Sequence, residues 1–334
     1  MLAELQCHRM TRPLLTIAIP TYSRAELLKE LLTLLAEQVK AEPRVELMIS
    51  DNASPDETAA VVQDFVARGL PVSYIRNAEN VGPDANFLQC FEQARGKYVW
   101  LFSDDDLILP GAIAKILGYC EAGEYDLIWV SSYGFDASHT PGAVKSTPDA
   151  VEVTSPQAYA KRVHIFFTFI SGNIINKETV LAAGSKPFSS LVGTCLQQLG
   201  WTYIRERLAA VRKNNTGGYK LFQVFGATLT SISNTWLESG DLRQIVINGA
   251  LQRFWPMMLL EYKRIGQAFY DKAAPQDALT PLFKHNPRYW IFAYPVIRLP
   301  FSLAKVWVLG VRLSNALDKA LGYPLLQWGV TRNG

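Results

Sequence analysis

Short apolar runs alternate with amphipathic stretches through the first 40% or so of the chain, and this alternation constrains the fold more than any other feature. Leu14 to Pro20 (LLTIAIP), Val45 to Ser50 (VELMIS), Val72 to Ile75, Lys97 to Phe102 (KYVWLF) and Asp126 to Tyr133 (DLIWVSSY) read as strands. Between them, Arg24 to Gln38, Pro55 to Arg68, Pro83 to Arg95 and a segment opening at Pro110 read as helices. The first carries leucines at helical spacing, and the second has proline in its first turn with acids close behind. Strands and helices alternating in this way predict a mostly parallel sheet covered by helices on both faces. Ligands of such sheets bind where the strands end. Polar clusters follow those ends here: Thr21-Tyr22-Ser23-Arg24, Asp51-Asn52, Arg76-Asn77 and Ser103-Asp104-Asp105-Asp106.

The rest of the chain is less regular. Phe135 to about Ser155 is rich in Gly, Pro, Ser, Thr and Asp and reads as a loop, whereas Ile165 to Asn176 is apolar around Ser171-Gly172-Asn173. Beyond Asn214-Asn215-Thr216-Gly217-Gly218 the pattern is helical almost to the end, and no internal repeat is present. A length of 334 residues accommodates two compact units. Apolar residues at 49% against 19% charged exclude a disordered chain. The net charge of +3, without a dense basic tract, argues against nucleic acid as a partner. Cys7, Cys90, Cys120 and Cys195 lie far apart, which argues against a disulfide framework and a cysteine zinc site. Met1 to Pro13 has no apolar h-region, so a cytoplasmic location is expected.

Ser103-Asp104-Asp105-Asp106 is the sharpest chemical signal. Adjacent carboxylates repel, so a fold that gathers three of them usually supplies a compensating cation. Mg²⁺ or Mn²⁺ takes one or two such carboxylates, with phosphate and water completing the shell. A metal so held bridges a diphosphate and stabilises a departing nucleoside diphosphate. The same acids also suit a solvated turn before the helix near Pro110. Asp51-Asn52-Ala53-Ser54-Pro55-Asp56 offers either a carboxylate to a nucleobase N–H or an Asx turn, with Ser54 or Asp56 capping the next helix. In Pro20 to Arg24, Tyr22 is a candidate support for a base and Arg24 for a phosphate; the alternative is a simple turn capped by Ser23. Asn77 and Asn80 either line a site or shape the turn before Pro83. Lys213 to Lys220, with two glycines, is either a loop over a diphosphate or a linker. His139, His164 and His285 show no ligand spacing.

Taken in order, the stretches P-T-Y-S-R, D-N-A-S-P-D-E-T, N-V-G-P-D-A-N and S-D-D-D-L-I-L-P resemble the family 2 glycosyltransferases over about the first 120 residues. The resemblance implies a GT-A-like α/β fold, a divalent metal (Mn²⁺ or Mg²⁺) in a DXD-type motif, and sugar transfer from a nucleotide donor. Carried over residue by residue, Pro20, Thr21 and Tyr22 line the nucleoside pocket, with Arg24 and Asn80 also on the donor. Asp51 contacts the base, Asp104 lies near the ribose, Asp105 is the metal ligand, and Asp106 supports it or meets the sugar. UDP, dTDP and CDP all remain open; a carboxylate at Asp51 favours bases with an N3–H. Ser171-Gly172-Asn173-Ile174-Ile175, Lys177-Glu178 and Asn214 to Tyr219 are most similar to the abequosyltransferase branch. That branch adds a 3,6-dideoxyhexose to a lipid-linked oligosaccharide during O-antigen assembly.

The implied organisation is a catalytic domain over 1–215 and a helical region over 216–334. The family's acidic base has no counterpart in Leu191 to Gln198, which leaves Asp136 and Glu178 as candidates and the stereochemical outcome open. A polyprenyl-phosphate glycosyltransferase and a non-catalytic nucleotide-sugar-binding scaffold are the alternatives. Near the end, Tyr289 to Val311 is apolar and aromatic, but Pro295, Pro300, Arg298 and Lys305 oppose a simple span. A pair of short helices in the headgroup region of the inner membrane face is the expectation, with packing on the core or on another subunit as the alternative. Homo-oligomerisation through this tail stays open.

Overall fold

The computed structural model describes residues 12–135, 151–182, 201–212, 221–237, 240–265 and 273–327. Strand β1 (Leu15–Thr21) is buried at every position, as is β2 (Val45–Asp51), which is the burial expected of strands covered on both faces. β1 pairs in parallel with β2 on one side and with β4 (Tyr98–Leu101) on the other; β2 pairs in parallel with β3 (Val72–Arg76). The register sets Thr21 opposite Asp51 and Asp51 opposite Arg76, so three polar strand ends reach one edge together.

Four helices cover these strands: α1 (Ala25–Val39), α2 (Thr58–Ala67), α3 (Pro83–Gln93) and α4 (Ala112–Ala122). α1 buries Leu28, Leu31, Leu32 and Leu35, a spacing that puts all four on one face. They join Ile17, Ile19, Ile49, Trp100 and Ile116 in the main core. Each such side chain contributes about 1.5–3 kcal/mol relative to exposure.

Among the described residues the sheet has nine strands. Its far half contains β5 (Leu107–Ile108), β6 (Leu127–Phe135), β7 (Val151–Thr154), β8 (Asn173–Asn176) and β9 (Trp201–Arg212). The order is β3-β2-β1-β4-β8-β6-β9-β5, with β7 on β9. β8 runs antiparallel to both β4 and β6, and β5 is antiparallel to β9. The sheet is therefore mixed: parallel without interruption from β3 to β4, and parallel again between β6 and β9. The segment expected to be a loop from Phe135 to Ser155 contains the strand Val151–Thr154. α2 begins at Thr58, three residues later than the proline suggested.

The chain falls into two compact units. One comprises Met1–Val153, Phe169–Leu191 and Leu199–Asn214; the other comprises Thr154–Thr168, Val192–Gln198 and Asn215–Gly334. The described part of the second unit is helical. It includes helices at Pro156–Val163, Gly240–Gly249, Trp255–Ile265, Pro275–Phe283, Tyr294–Arg298 and Phe301–Ala320. The chain breaks between the last two at Leu299-Pro300, as the proline required. No described helix is long and apolar enough to cross a membrane.

Candidate active site

β1 and β4 end side by side, and a hydrogen bond from Thr21 Oγ1 to Asp104 Oδ2 (2.8 Å) ties the loops that follow them. Arg24 Nη1 donates to the other oxygen of Asp104 at 2.8 Å and lies 3.4 Å from Asp105 Oδ2. The cation demanded by the acidic run is thus supplied in the first instance by an arginine of this chain. Burial pushes the Asp104 carboxyl up to about 6; Arg24 opposes that shift and the neighbouring Asp105 charge adds to it. Asp105 is less enclosed, with its side chain 13% exposed against 4% for Asp104. One of its oxygens accepts from Ser103 Oγ and the other faces Arg24.

Asp106 is directed elsewhere. It accepts a 2.7 Å hydrogen bond from Ser171 Oγ, which in turn accepts one from the backbone N–H of Ser103 at 3.0 Å. The Ser171 carbonyl also receives Trp100 Nε1 at 2.9 Å. Next to it, a Cβ on Gly172 would stand 2.6 Å from the Trp129 ring, so only glycine lets the chain pass here. Ser171 is therefore the brace of the acidic loop, with Gly172 giving the chain room beside it.

The loops after β1 and β2 are cross-linked. Ser23 and Ala53 both take positive φ (54° and 61°), a region that disfavours non-glycine residues. Ser23 N donates to Ser54 Oγ (2.9 Å), and Ala25 N, at the start of α1, donates to Asp56 Oδ2 (3.0 Å). The expected Ser23 cap of α1 is thus replaced by Asp56 reaching across from the neighbouring loop, while the other Asp56 oxygen accepts from Thr58 N and Oγ1 at the start of α2, as expected of a cap there. Asp51 is fully buried. Its Oδ1 accepts from Ser54 N (2.8 Å); its Oδ2 accepts from the Tyr74 hydroxyl (2.6 Å) and lies 3.3 Å from Arg76 Nε. Asp51 forms the Asx turn and also orients two side chains of β3. Asn80 Oδ1 accepts from Asn52 Nδ2 (2.8 Å) and from Gly82 N (2.9 Å), so Asn80 shapes the turn into α3. Tyr22 is 45% exposed, whereas Pro20 and Thr21 are buried at the end of β1.

Pro20, Thr21, Tyr22, Arg24, Asp51, Asn80, Asp104, Asp105 and Asp106 all come to the carboxyl ends of β1 to β4 and the loops following them. Glu178 does not. It lies just beyond β8, where Asn176 pairs with Tyr98 at the start of β4, and it is ion-paired with Arg12. The length of β4 separates it from the acidic loop, so it cannot reach a substrate held there. Asp136, Leu191 to Gln198 and Lys213 to Lys220 lie outside the described residues. Among the described residues no group of three or more His, Cys, Asp or Glu is arranged to hold a metal ion. The partly exposed carboxylate of Asp105 fits Mg²⁺ or Mn²⁺ in the manner of these ions at phosphate sites, where the protein gives one or two carboxylates and non-protein oxygens complete the shell.

Residues 16–181 match the family model described as glycosyl transferase family 2. Over 110 residues the chain is 38% identical to the abequosyltransferase RfbV of Salmonella typhimurium, covering 33% of each protein. Over 112 residues it is 30% identical to the GalNAc(5)-diNAcBac-PP-undecaprenol beta-1,3-glucosyltransferase of Campylobacter jejuni, covering 33% of this chain and 36% of that protein. These matches span about a third of the length of the curated relatives. Among solved structures, residues 1–349 of S. aureus TarS in complex with UDP-GlcNAc superpose with a TM-score of 0.56 at 14% identity over 92% of both chains. At that identity the likeness concerns the GT-A-like fold alone. The match over residues 16–181 identifies a glycosyl transferase family 2 domain in this chain.

Proposed function

We propose that the chain is a metal-dependent glycosyltransferase. It moves a sugar from a nucleotide-diphosphate donor to a hydroxyl of a lipid-linked oligosaccharide, in O-antigen or other surface polysaccharide synthesis at the inner face of the cytoplasmic membrane. The observation that carries this reading is the linkage of Thr21, Arg24, Asp104 and Asp105 at the ends of β1 and β4. The undecaprenol-linked substrate in the name of the Campylobacter jejuni relative supports the lipid-linked acceptor.

Donor chemistry belongs to residues 1–215 and the helical region to 216–334. Tyr22 covers the nucleoside above Pro20 and Thr21. Asp51, through Tyr74 and Arg76, sets the edge that meets a pyrimidine of UDP, dTDP or CDP. Asp104 and Asp106 hold the loop from within, and Asn80 holds the next one. Arg24 turns its guanidinium to the diphosphate, for which its planar fork is suited. Asp105 holds Mn²⁺ or Mg²⁺, which when bound offsets charge on the leaving diphosphate. The acceptor oxygen bonds to the anomeric carbon as the bond to the diphosphate breaks, and the hydroxyl proton passes to a base for which Asp136 is the remaining candidate.

Turnover of UDP-, dTDP- and CDP-sugars with Mn²⁺ and a polyprenyl-linked acceptor tests this reading. Asp105→Ala is expected to lower metal-dependent turnover at least about a hundredfold. Unchanged turnover in that variant would remove the proposed chemistry, and donor binding without any turnover in the parent would favour the scaffold.

A further inference from the structure

The helix Phe301–Ala320 has three distinct faces. One packs inward through Ala304, Val308, Val311 and Asp318, all buried. Asp318 fixes that face: it accepts from Arg253 Nη2 at 3.0 Å and from the backbone N–H of Leu325 at 2.7 Å. A second face is solvent-exposed yet apolar. Leu303, Val306, Leu309, Leu313 and Leu317 lie along it and Leu321 continues it; their exposure runs from 54% at Leu303 to 73% at Leu321. Monomeric soluble proteins rarely leave a continuous stripe of this kind uncovered. The third face carries Lys305, Arg312 and Lys319, seven residues apart and all exposed, beside the apolar stripe. Lys305 Nζ lies 5.1 Å from the centre of the Phe301 ring, and Arg312 Nε contacts Met257 Sδ at 3.2 Å.

Charge identifies the occupant. From Asn286 to the end of the chain there is a single acidic residue, Asp318, and it is buried and paired with Arg253. Every exposed formal charge on the helix is therefore positive. A second copy of the same face would set like charges against like. Trp307 and Phe301, 40% and 37% exposed, add amphipathic rings of the type that settle at headgroup level.

We propose that the Phe301–Leu321 face is a docking surface for an anionic lipid bilayer, on which the helix lies flat. Its apolar stripe enters the acyl boundary while Lys305, Arg312 and Lys319 meet lipid phosphates. The inward face, tied down through Asp318 and Arg253, keeps the helix against the protein and so prevents it from crossing the bilayer. The sequence had pointed to Tyr289 to Val311 as the membrane element. Within that range Tyr289, Ala293 and Val296 are buried, whereas Trp290 and Ile291 are exposed, and the exposed stripe begins inside it at Leu303 and runs past it to Leu321.

This inference stands on the helix alone and is independent of the donor chemistry. The full chain would be sedimented with phosphatidylcholine vesicles and with vesicles that also contain phosphatidylglycerol, without any nucleotide sugar. Salt-sensitive binding to the anionic vesicles is expected. The triple variant Lys305→Gln/Arg312→Gln/Lys319→Gln should weaken partitioning about a hundredfold. Val306→Gln/Leu313→Gln should also release the protein while leaving its melting temperature in place, since both side chains are already exposed. Two results would overturn the proposal: a parent chain that stays in the supernatant with both lipids, or a parent dimer that the apolar pair of substitutions dissociates. Binding that survives both variants would overturn it equally.

Discussion

Ser171→Ala removes one hydroxyl and tests how the acidic loop is held. Ser171 is fully buried; its Oγ donates to Asp106 at 2.7 Å and accepts from Ser103 N at 3.0 Å. A hydrogen bond to a charged group contributes about 1.5–3 kcal/mol and a neutral one about 1 kcal/mol. Alanine leaves the Ser103 N–H without this acceptor and Asp106 with one donor fewer, in a place where Asp106 is only 3% exposed. The expected loss is about 2–4 kcal/mol in urea unfolding followed by tryptophan fluorescence. Trp100 reports locally, because its indole N–H is bonded to the Ser171 carbonyl. The loop that carries Asp105 loosens with it, so nucleoside diphosphate affinity in Mn²⁺ should fall about tenfold, equivalent to about 1.4 kcal/mol. A variant within about 0.5 kcal/mol of the parent, with unchanged nucleotide affinity, would refute the bracing role.

Two further outcomes follow from the same geometry. Tyr74→Phe deletes a 2.6 Å hydrogen bond to the buried Asp51, so it should cost about 1–2 kcal/mol in urea unfolding and weaken binding of the nucleoside more than that of inorganic diphosphate. His164 is buried, and that burial, with Arg253 nearby, holds its imidazole well below its ordinary range. The folded state therefore keeps it neutral while the unfolded chain takes up a proton below about pH 6.5. Its contribution is complete above that pH and is lost as the pH falls, by up to about 1.4 kcal/mol per unit. Unfolding curves of the parent and His164→Gln between about pH 7 and 5 should diverge in slope, with the variant flatter; parallel curves would refute the assignment.

The parallel half of the sheet was legible because it is written in local code. Four apolar runs, each followed by a polar cluster, gave β1, β2, β3 and β4 to within a residue or two. They also set the polar ends at one edge. The antiparallel insertion of β8 was not legible, since Asn173–Asn176 is too short to show a period and its direction depends on the turn before it. Asp104, Asp105 and Asp106 were found as a group, but their division of labour was not. One meets Arg24 and Thr21, one stays partly open, and one is held by Ser171, a residue 65 positions away. The cap of α1 by Asp56 and the closure of Asp51 by Tyr74 likewise join separate elements, which no local pattern announces. Glu178 was a candidate base from outside Leu191 to Gln198, yet register alone moves it to the opposite edge.

The central claim is that Asp105 joins a divalent ion to a nucleotide diphosphate at the ends of β1 and β4. Thermal shift of the parent and of Asp105→Asn, with UDP, dTDP and CDP in the presence and absence of Mn²⁺, measures it directly, because a ligand that binds only the folded state raises its stability. The account predicts that at least one nucleotide stabilises the parent more with Mn²⁺ than without, and that Asp105→Asn folds normally but loses this metal-dependent increment. The same increment in both proteins, or none with any nucleotide in the parent, would contradict it.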